Sequence, residues 1–235
     1  MGYNFFMLPS QDKIIVALDS NELEDCRKLT DELGDLISFY KIGLRMFVTD
    51  GFNFASHLKH QGKRIFLDLK LFDIKSTITE TVSKLSNLGI DFLTVHGDPS
   101  VVEAALIGKK NNDLKILAVT FLTSHNRADL NMSLIKKGAI EDLILERATN
   151  AINAGADGLI ASPLEVTQLR SLKCTTGKII VAPGIRPGNS DIGDQKRIST
   201  PSEALAAGAD YLVIGRPIWQ SKNPRLATEK ILNDL

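Results

Sequence analysis

Phe66-Leu67-Asp68-Leu69-Lys70-Leu71-Phe72-Asp73-Ile74 reads as the end of a buried strand, because Arg64 to Leu69 is short and apolar and follows Gly62. Asp68 and Lys70 are two positions apart, so strand alternation points both to one side, toward the interior of the fold or its mouth. A carboxylate and an ammonium at that depth are costly unless they neutralise each other or carry out chemistry, and Asp73 adds a second carboxylate shortly after. A structural ion pair capping the strand fits these residues equally well, and only the rest of the chain separates the two readings.

Outward from this strand, short β-rich runs alternate with amphipathic helical stretches. Lys13 to Leu18, Ile37 to Ile42, Arg64 to Leu69, Asp91 to Val95, Lys115 to Val119, Gly158 to Ala161, Ile179 to Ala182 and Tyr211 to Ile214 have the length and composition of strands. Helical spacing runs through Asn21 to Leu33, up to His60, Thr77 to Leu88, Val101 to Lys109, Leu143 to Asn153, Leu164 to Leu172 and Pro201 to Ala207. Gly34 and Gly89 close two of these helices. Alternation of this kind predicts a parallel sheet, and eight units in one domain predict a closed (β/α)8 TIM barrel in preference to an open doubly wound sheet. Gly-Ala-Asp at 155–157 and again at 208–210, each just before a strand, suits a repeated turn from helix into sheet.

The 235 residues show no break in composition, so residues 1–235 are expected to form a single α/β domain with residues 1–11 as an N-terminal arm. Lys plus Arg equals Asp plus Glu at 28 each, which argues against a polyanion-binding surface and against nucleic acid as a partner. Cys26 and Cys174 are the only cysteines, with no Cys-x-x-Cys and no His cluster, so neither a disulfide framework nor a structural zinc site is indicated. The apolar run Phe5-Phe6-Met7-Leu8 lacks a cationic start and the length of a signal peptide, and Phe6 stands where a myristoylation signal needs Ser or Thr. No window is long and apolar enough to span a membrane, and the cytoplasm is the expected compartment.

In such a barrel the chemistry sits at the C-terminal ends of the strands. Asp19 follows the first strand, Lys41 ends the second, and Asp68 and Lys70 end the third. His96 follows the fourth, Thr123 and Ser124 the fifth, Pro183 to Arg186 the seventh, and Gly215-Arg216 the eighth. Each has a plainer reading when taken singly: Asp19 as a helix N-cap, His96 as a hydrogen-bonded wall residue, Arg216 as a surface cation. The Gly215-Arg216 step stands where barrels hold a phosphate, with Arg216 as a bidentate cation. Gly184 to Thr200 is rich in Gly, Ser and Asp, and its Arg186 and Gln195 could close over the same anion. Gly188 to Gly193 has a Walker-like glycine spacing, but Asp194-Gln195 replace the residues that grip a nucleoside triphosphate, and no strand-linked GxGxxG suggests a dinucleotide.

Together these residues resemble the orotidine 5'-phosphate decarboxylase family. The matching motifs are Leu18-Asp19, Tyr40-Lys41-Ile42-Gly43, Asp68-x-Lys70-x-x-Asp73, Leu122-Thr123-Ser124, Ala182-Pro183-Gly184-Ile185-Arg186 and Ala209 through Ile218, in the family's order along nearly the whole chain. One departure stands out: Lys75-Ser76 replace the family's Pro-Asn before Thr77, which puts the local loop geometry in question. The resemblance implies decarboxylation of orotidine 5'-phosphate to UMP and CO2, with no metal or organic cofactor. It implies Lys70 as proton donor within an array completed by Lys41, Asp68 and Asp73. Asp19 and Thr77 would contact the ribose, Thr123 the pyrimidine, and Arg186, Gln195, Gly215 and Arg216 the phosphate. It implies a homodimer in which Asp73 and Thr77 cross into the partner's site. The nearest rival is a Mg²⁺-dependent sugar-phosphate lyase or aldolase on the same barrel, against which the Pro-Gly-Ile-Arg and Gln195 elements argue. The farther rival is a phosphate-metabolite binding protein without catalysis, against which the Lys41, Asp68, Lys70 and Asp73 set argues.

Overall fold

The structure is a computed structural model and describes residues 10–20, 22–110, 113–122, 124–187 and 199–235. Eight parallel strands close into a barrel in sequence order, the last pairing with the first. They are β1 (Ile14–Leu18), β2 (Phe39–Gly43), β3 (Arg64–Leu71), β4 (Phe92–His96), β5 (Lys115–Val119), β6 (Gly158–Ile160), β7 (Ile179–Ala182) and β8 (Tyr211–Ile214). The expected barrel is therefore present, with shifted edges. Ile37 lies before β2, and β3 runs on to Leu71, two residues past its expected end at Leu69. Ser10–Lys13 form a 3-10 turn leading into β1, so residues 10 and 11 belong to this turn and not to the expected arm; residues 1–9 lie outside the described residues.

Alternation sorts each strand into two faces. One face packs under the surrounding helices in the larger apolar cluster. The other forms a separate cluster inside the barrel, with Ile15, Ala17, Phe39, Phe66, Phe92, Leu117 and Val119 among its members. At the N-terminal end Arg64 closes this inner core, its guanidinium 4.1 Å from the Phe39 ring centroid and donating to Tyr211 Oη at 3.3 Å. Two residues further along the same inner faces stand Lys41 above Phe39, Asp68 above Phe66 and Thr94 above Phe92. An aromatic floor thus lies directly beneath a polar layer at the barrel mouth.

The surrounding helices are α1 (Leu23–Leu33), α2 (Leu44–Met46), α3 (Phe52–His60), α4 (Lys75–Ser86), α5 (Pro99–Gly108), α6 (Arg127–Met132), α7 (Ile140–Asn153), α8 (Val166–Ser171), α9 (Pro201–Ala206), α10 (Arg216–Trp219) and α11 (Pro224–Asn233). The stretch expected to be helical up to His60 is broken: a π-type turn at Phe47–Gly51, with Asp50 out of helical conformation, separates α2 from α3. Helices α6, α10 and α11 were not expected from the sequence pattern.

The repeated Gly-Ala-Asp turns have one physical cause. Gly155 and Gly208 adopt positive φ (104° and 106°), and each following Asp clasps the neighbouring strand. Asp157 donates its N–H to Ile116 O and accepts Ile116 N–H on Oδ2 at 2.8 Å; Asp210 does the same with Ile180 at 2.7 Å. Gly89-Ile90-Asp91 is a third copy, with Asp91 Oδ2 accepting Ile65 N–H at 2.8 Å. A cation steadies each carboxylate: Lys59 on Asp91, Lys109 on Asp157 and Arg170 on Asp210.

Candidate active site

Strands β1, β2 and β3 deliver a linear array of alternating charge. Asp19 Oδ1 accepts from Lys41 Nζ at 3.0 Å, Lys41 Nζ lies 3.5 Å from Asp68 Oδ2, and Asp68 Oδ1 accepts from Lys70 Nζ at 2.7 Å. Lys41 is buried within β2, whereas Lys70 keeps about a third of its side chain exposed. Gly43 makes room: a Cβ there would stand 3.1 Å from both Asp19 Oδ1 and Lys41 Nζ. Burial alone would lower the Lys41 pKa, but Asp68 and Asp19 outweigh it and hold the ammonium above the ordinary lysine value. Burial would raise the Asp68 pKa, and Lys41, Lys70 and the hydrogen bonds from Lys70 and Thr94 overcome it, holding the carboxyl below the usual carboxylate range.

Asp68 and Lys70 do meet, but not by the strand alternation expected of them. The β3–β4 ladder pairs Leu67 with Leu93 and resumes at Leu71 with Val95, so Asp68, Leu69 and Lys70 stand opposite the single residue Thr94. Lys70 sits inside this bulge at φ 48°, a left-handed conformation rare for a residue with a side chain. Thr94, which was not expected to matter, bonds both ends of the bulge: its Oγ1 accepts Lys70 N–H at 2.9 Å and donates to Asp68 Oδ1 at 3.0 Å. Continuing the period-two inner face through Phe92, Thr94 and His96 is the sequence signal that would have found it.

Asp73 is not brought to the array within one chain. It is exposed, between the exposed apolar side chains of Phe72 and Ile74, and its Oδ1 accepts the Ile74 amide at 2.7 Å. Thr77 is exposed in the first turn of α4. That helix begins at Lys75 with Ile74 as an extended N-cap, so Lys in place of Pro leaves an ordinary helix start.

On the other side of the mouth, β7 and β8 adjoin β1, so the expected phosphate residues and the charge array occupy one arc of neighbouring strands. Arg186 is buried, with Nη1 on Ile185 O at 2.8 Å, and its N–H bonds Ser199 O at 2.9 Å, pinning together the two ends of the Gly184 to Thr200 segment. Gly215 and half-buried Arg216 form the N-cap and first residue of α10. Gln195 and Thr123 lie outside the described residues. His96, the last residue of β4, is a hydrogen-bonded wall residue as expected: Nδ1 is 3.0 Å from Asp98 Oδ2, and its ring packs on Phe72 with centroids 4.9 Å apart.

Among the described residues no group of His, Cys, Asp and Glu side chains is arranged to hold a metal ion, and no helix is long and apolar enough to cross a membrane. Cys26 and Cys174 are both free thiols, and burial pushes the Cys26 pKa up to about 11.

Residues 12–231 match the model of the Orotidine 5'-phosphate decarboxylase / HUMPS family. The chain belongs to this family. Among relatives in the orotidine 5'-phosphate decarboxylase family, the protein of that name from Ruegeria pomeroyi is 53% identical over 227 residues, covering 96% of this chain and 95% of the relative. The one from Jannaschia sp. strain CCS1 is 52% identical, covering 96% and 99%. The crystal structure of orotidine 5'-phosphate decarboxylase from Lactobacillus acidophilus superposes with a TM-score of 0.82 at 34% identity, covering 95% of this chain and 98% of that one. Membership of the orotidine 5'-phosphate decarboxylase family thus agrees with the motifs in the sequence and with the barrel.

Proposed function

We propose that this protein is an orotidine 5'-phosphate decarboxylase, a carboxy-lyase that forms UMP and CO2 in pyrimidine synthesis without a metal or organic cofactor. The observation that carries the reading is the Lys70 ammonium, 2.7 Å from Asp68 and partly exposed at the barrel mouth. Breaking the bond from C6 to the carboxylate releases CO2 and leaves an electron pair in the ring plane, where no conventional sink can delocalise it. A fixed ammonium stabilises that developing charge and then transfers its proton to C6, giving UMP and a neutral amine that regains a proton from water. Lys41 and Asp68 keep the array charged and in place, with both Asp68 oxygens already facing ammonium groups. This pairing suits anion stabilisation better than the Mg²⁺ binding of a sugar-phosphate lyase.

In the same reading Asp19 and Thr77 hold the ribose and Thr123 meets the pyrimidine. Arg186, Gln195, Gly215 and Arg216 hold the phosphate, and closure of the 184–200 segment on it turns remote binding energy into an ordered, dry site. Asp73 completes the array from a second subunit and destabilises the substrate carboxylate by proximity. Support for a homodimer comes from exposed Phe72 and Ile74 on the loop after β3 and exposed Leu44 and Val48 on the adjoining segment after β2, apolar surface that a second copy would cover. The reaction belongs in the cytoplasm. The test is a spectrophotometric assay of orotidine 5'-phosphate consumption with EDTA present: undiminished turnover is expected, and loss of activity that Mg²⁺ restores would overturn it in favour of a metal-dependent lyase.

A further inference from the structure

We propose that Thr94 is a positioning residue for decarboxylation, holding the Asp68 carboxylate and the left-handed bulge at Lys70 with one buried hydroxyl. The inference rests on the reading of Lys70 as the proton donor.

The hydrogen-bond directions at this hydroxyl are forced by chemistry. Lys70 N–H can only donate, so Thr94 Oγ1 must accept there, at 2.9 Å. Ionised Asp68 can only accept, so the single hydroxyl proton of Thr94 points at Oδ1, at 3.0 Å. No alternative arrangement satisfies both, and Thr94 has no exposed surface through which water could substitute.

The bulge gives this bond its purpose. With three residues of β3 opposite one of β4, the Lys70 amide falls out of the regular ladder and needs an acceptor that the strand backbone does not supply. Thr94 supplies it, and so stabilises a positive φ that is uncommon for a lysine. Its second bond fixes the oxygen of Asp68 that also accepts Lys70 Nζ. Backbone and side chain of Lys70 are therefore tied to one residue, directly by the amide and through Asp68 by the ammonium. A buried β-branched residue at this position could serve packing alone, but Val would fill the same volume without a hydroxyl to desolvate.

Thr94→Val removes the hydroxyl and keeps the shape, whereas Thr94→Ser keeps the hydroxyl and removes a methyl. With both bonds made to charged or strained catalytic groups, Thr94→Val is expected to lower kcat by about 10- to 100-fold. UMP affinity should change by less than about threefold, because the bond serves the reacting end and not the phosphate. Thr94→Ser should stay within about threefold of wild type in kcat. Placed in a Lys70→Ala background, Thr94→Val should cause little further loss, since its effect passes through Lys70. Wild-type kcat in Thr94→Val overturns the proposal, as does a loss in Thr94→Ser equal to that in Thr94→Val, or an undiminished effect of Thr94→Val without Lys70. If Thr94→Val does not fold, Thr94→Ser against the size-matched Thr94→Cys decides the matter: equal kcat in these two overturns the proposal, and retention by Ser alone supports it. Failure of the Lys70 reading is seen separately, as near-normal turnover by Lys70→Ala with Thr94 intact.

Discussion

The two halves of the Asp68-x-Lys70-x-x-Asp73 motif are neighbours in sequence and opposites in structure. Asp68 and Lys70 lie at the barrel mouth, paired with each other and, through Lys41 and Asp19, with two adjoining strands. Asp73, at the far end of the motif, is exposed between Phe72 and Ile74 and bonds only its neighbour's amide among the described hydrogen bonds. One half is ion-paired within a single chain; the other carries an acid that makes no ion pair among the described residues, flanked by exposed apolar side chains. The contrast teaches that one chain pairs Asp68 with Lys70 at the barrel mouth and leaves Asp73 exposed, outside that array.

Removing the ammonium of the paired half should have the largest effect. Lys70→Ala loses both the ammonium that stabilises the C6 carbanion and the proton donor, so kcat/KM for orotidine 5'-phosphate should fall by at least about 10⁴-fold. Circular dichroism and thermal melting should show the barrel intact. Near-normal turnover in protein free of wild-type contamination would remove the chemical basis of the whole account.

Next in size is the anion side of the mouth. Arg216→Ala should lower kcat/KM for the phosphorylated substrate by about 10²- to 10⁴-fold, as expected for loss of a charge-assisted contact in a closed site. Orotidine without its phosphate should be a poor substrate for both proteins. If the variant loses as much on orotidine as on its phosphate, Arg216 does not serve the phosphate and the arc from β7 to β3 is not one site.

A smaller effect tests the ion pairs within the chain. Lys41 has a raised pKa, so its contribution to stability is full below its unfolded value of about 10.4 and is lost as pH rises through the folded value. Asp68 has a lowered pKa, so its contribution is present above about 3.9 and is lost as pH falls through the folded value. Asp68→Asn leaves buried Lys41 with Asp19 alone, and the alkaline edge of thermal stability should move to lower pH. Melting temperature measured against pH checks this; an unmoved edge would mean that Asp68 does not hold Lys41.

The contrast also marks what the sequence could convey. Strands β5, β7 and β8 fall where apolar runs bounded by turns placed them, and the Asp157 and Asp210 clasps explain why Gly-Ala-Asp recurs. Helices α6 and α10 were missed because so few turns give periodicity little to act on, and no helix was assigned after β8, where α10 and α11 stand. The meeting of Asp68 and Lys70 was legible, but its cause was not: alternation suggested it, whereas a bulge and a left-handed lysine produce it. Thr94 escaped notice because a hydroxyl in an apolar run reads as a β-former, and its partners are set by register across strands. Asp73 is adjacent in sequence to the array and yet outside it in the structure, a separation that the spacing of the motif does not convey.

The shared site is the central claim, and mixing subunits tests it most directly. Lys70→Ala and Asp73→Asn proteins, each inactive alone, are combined under conditions where subunit exchange is verified. If Asp73 serves the partner's array, every mixed dimer has one doubly damaged site and one intact site, and random pairing should restore about a quarter of wild-type activity per site. If Asp73 serves its own chain, every site keeps a lesion; no recovery with exchange demonstrated would contradict the account.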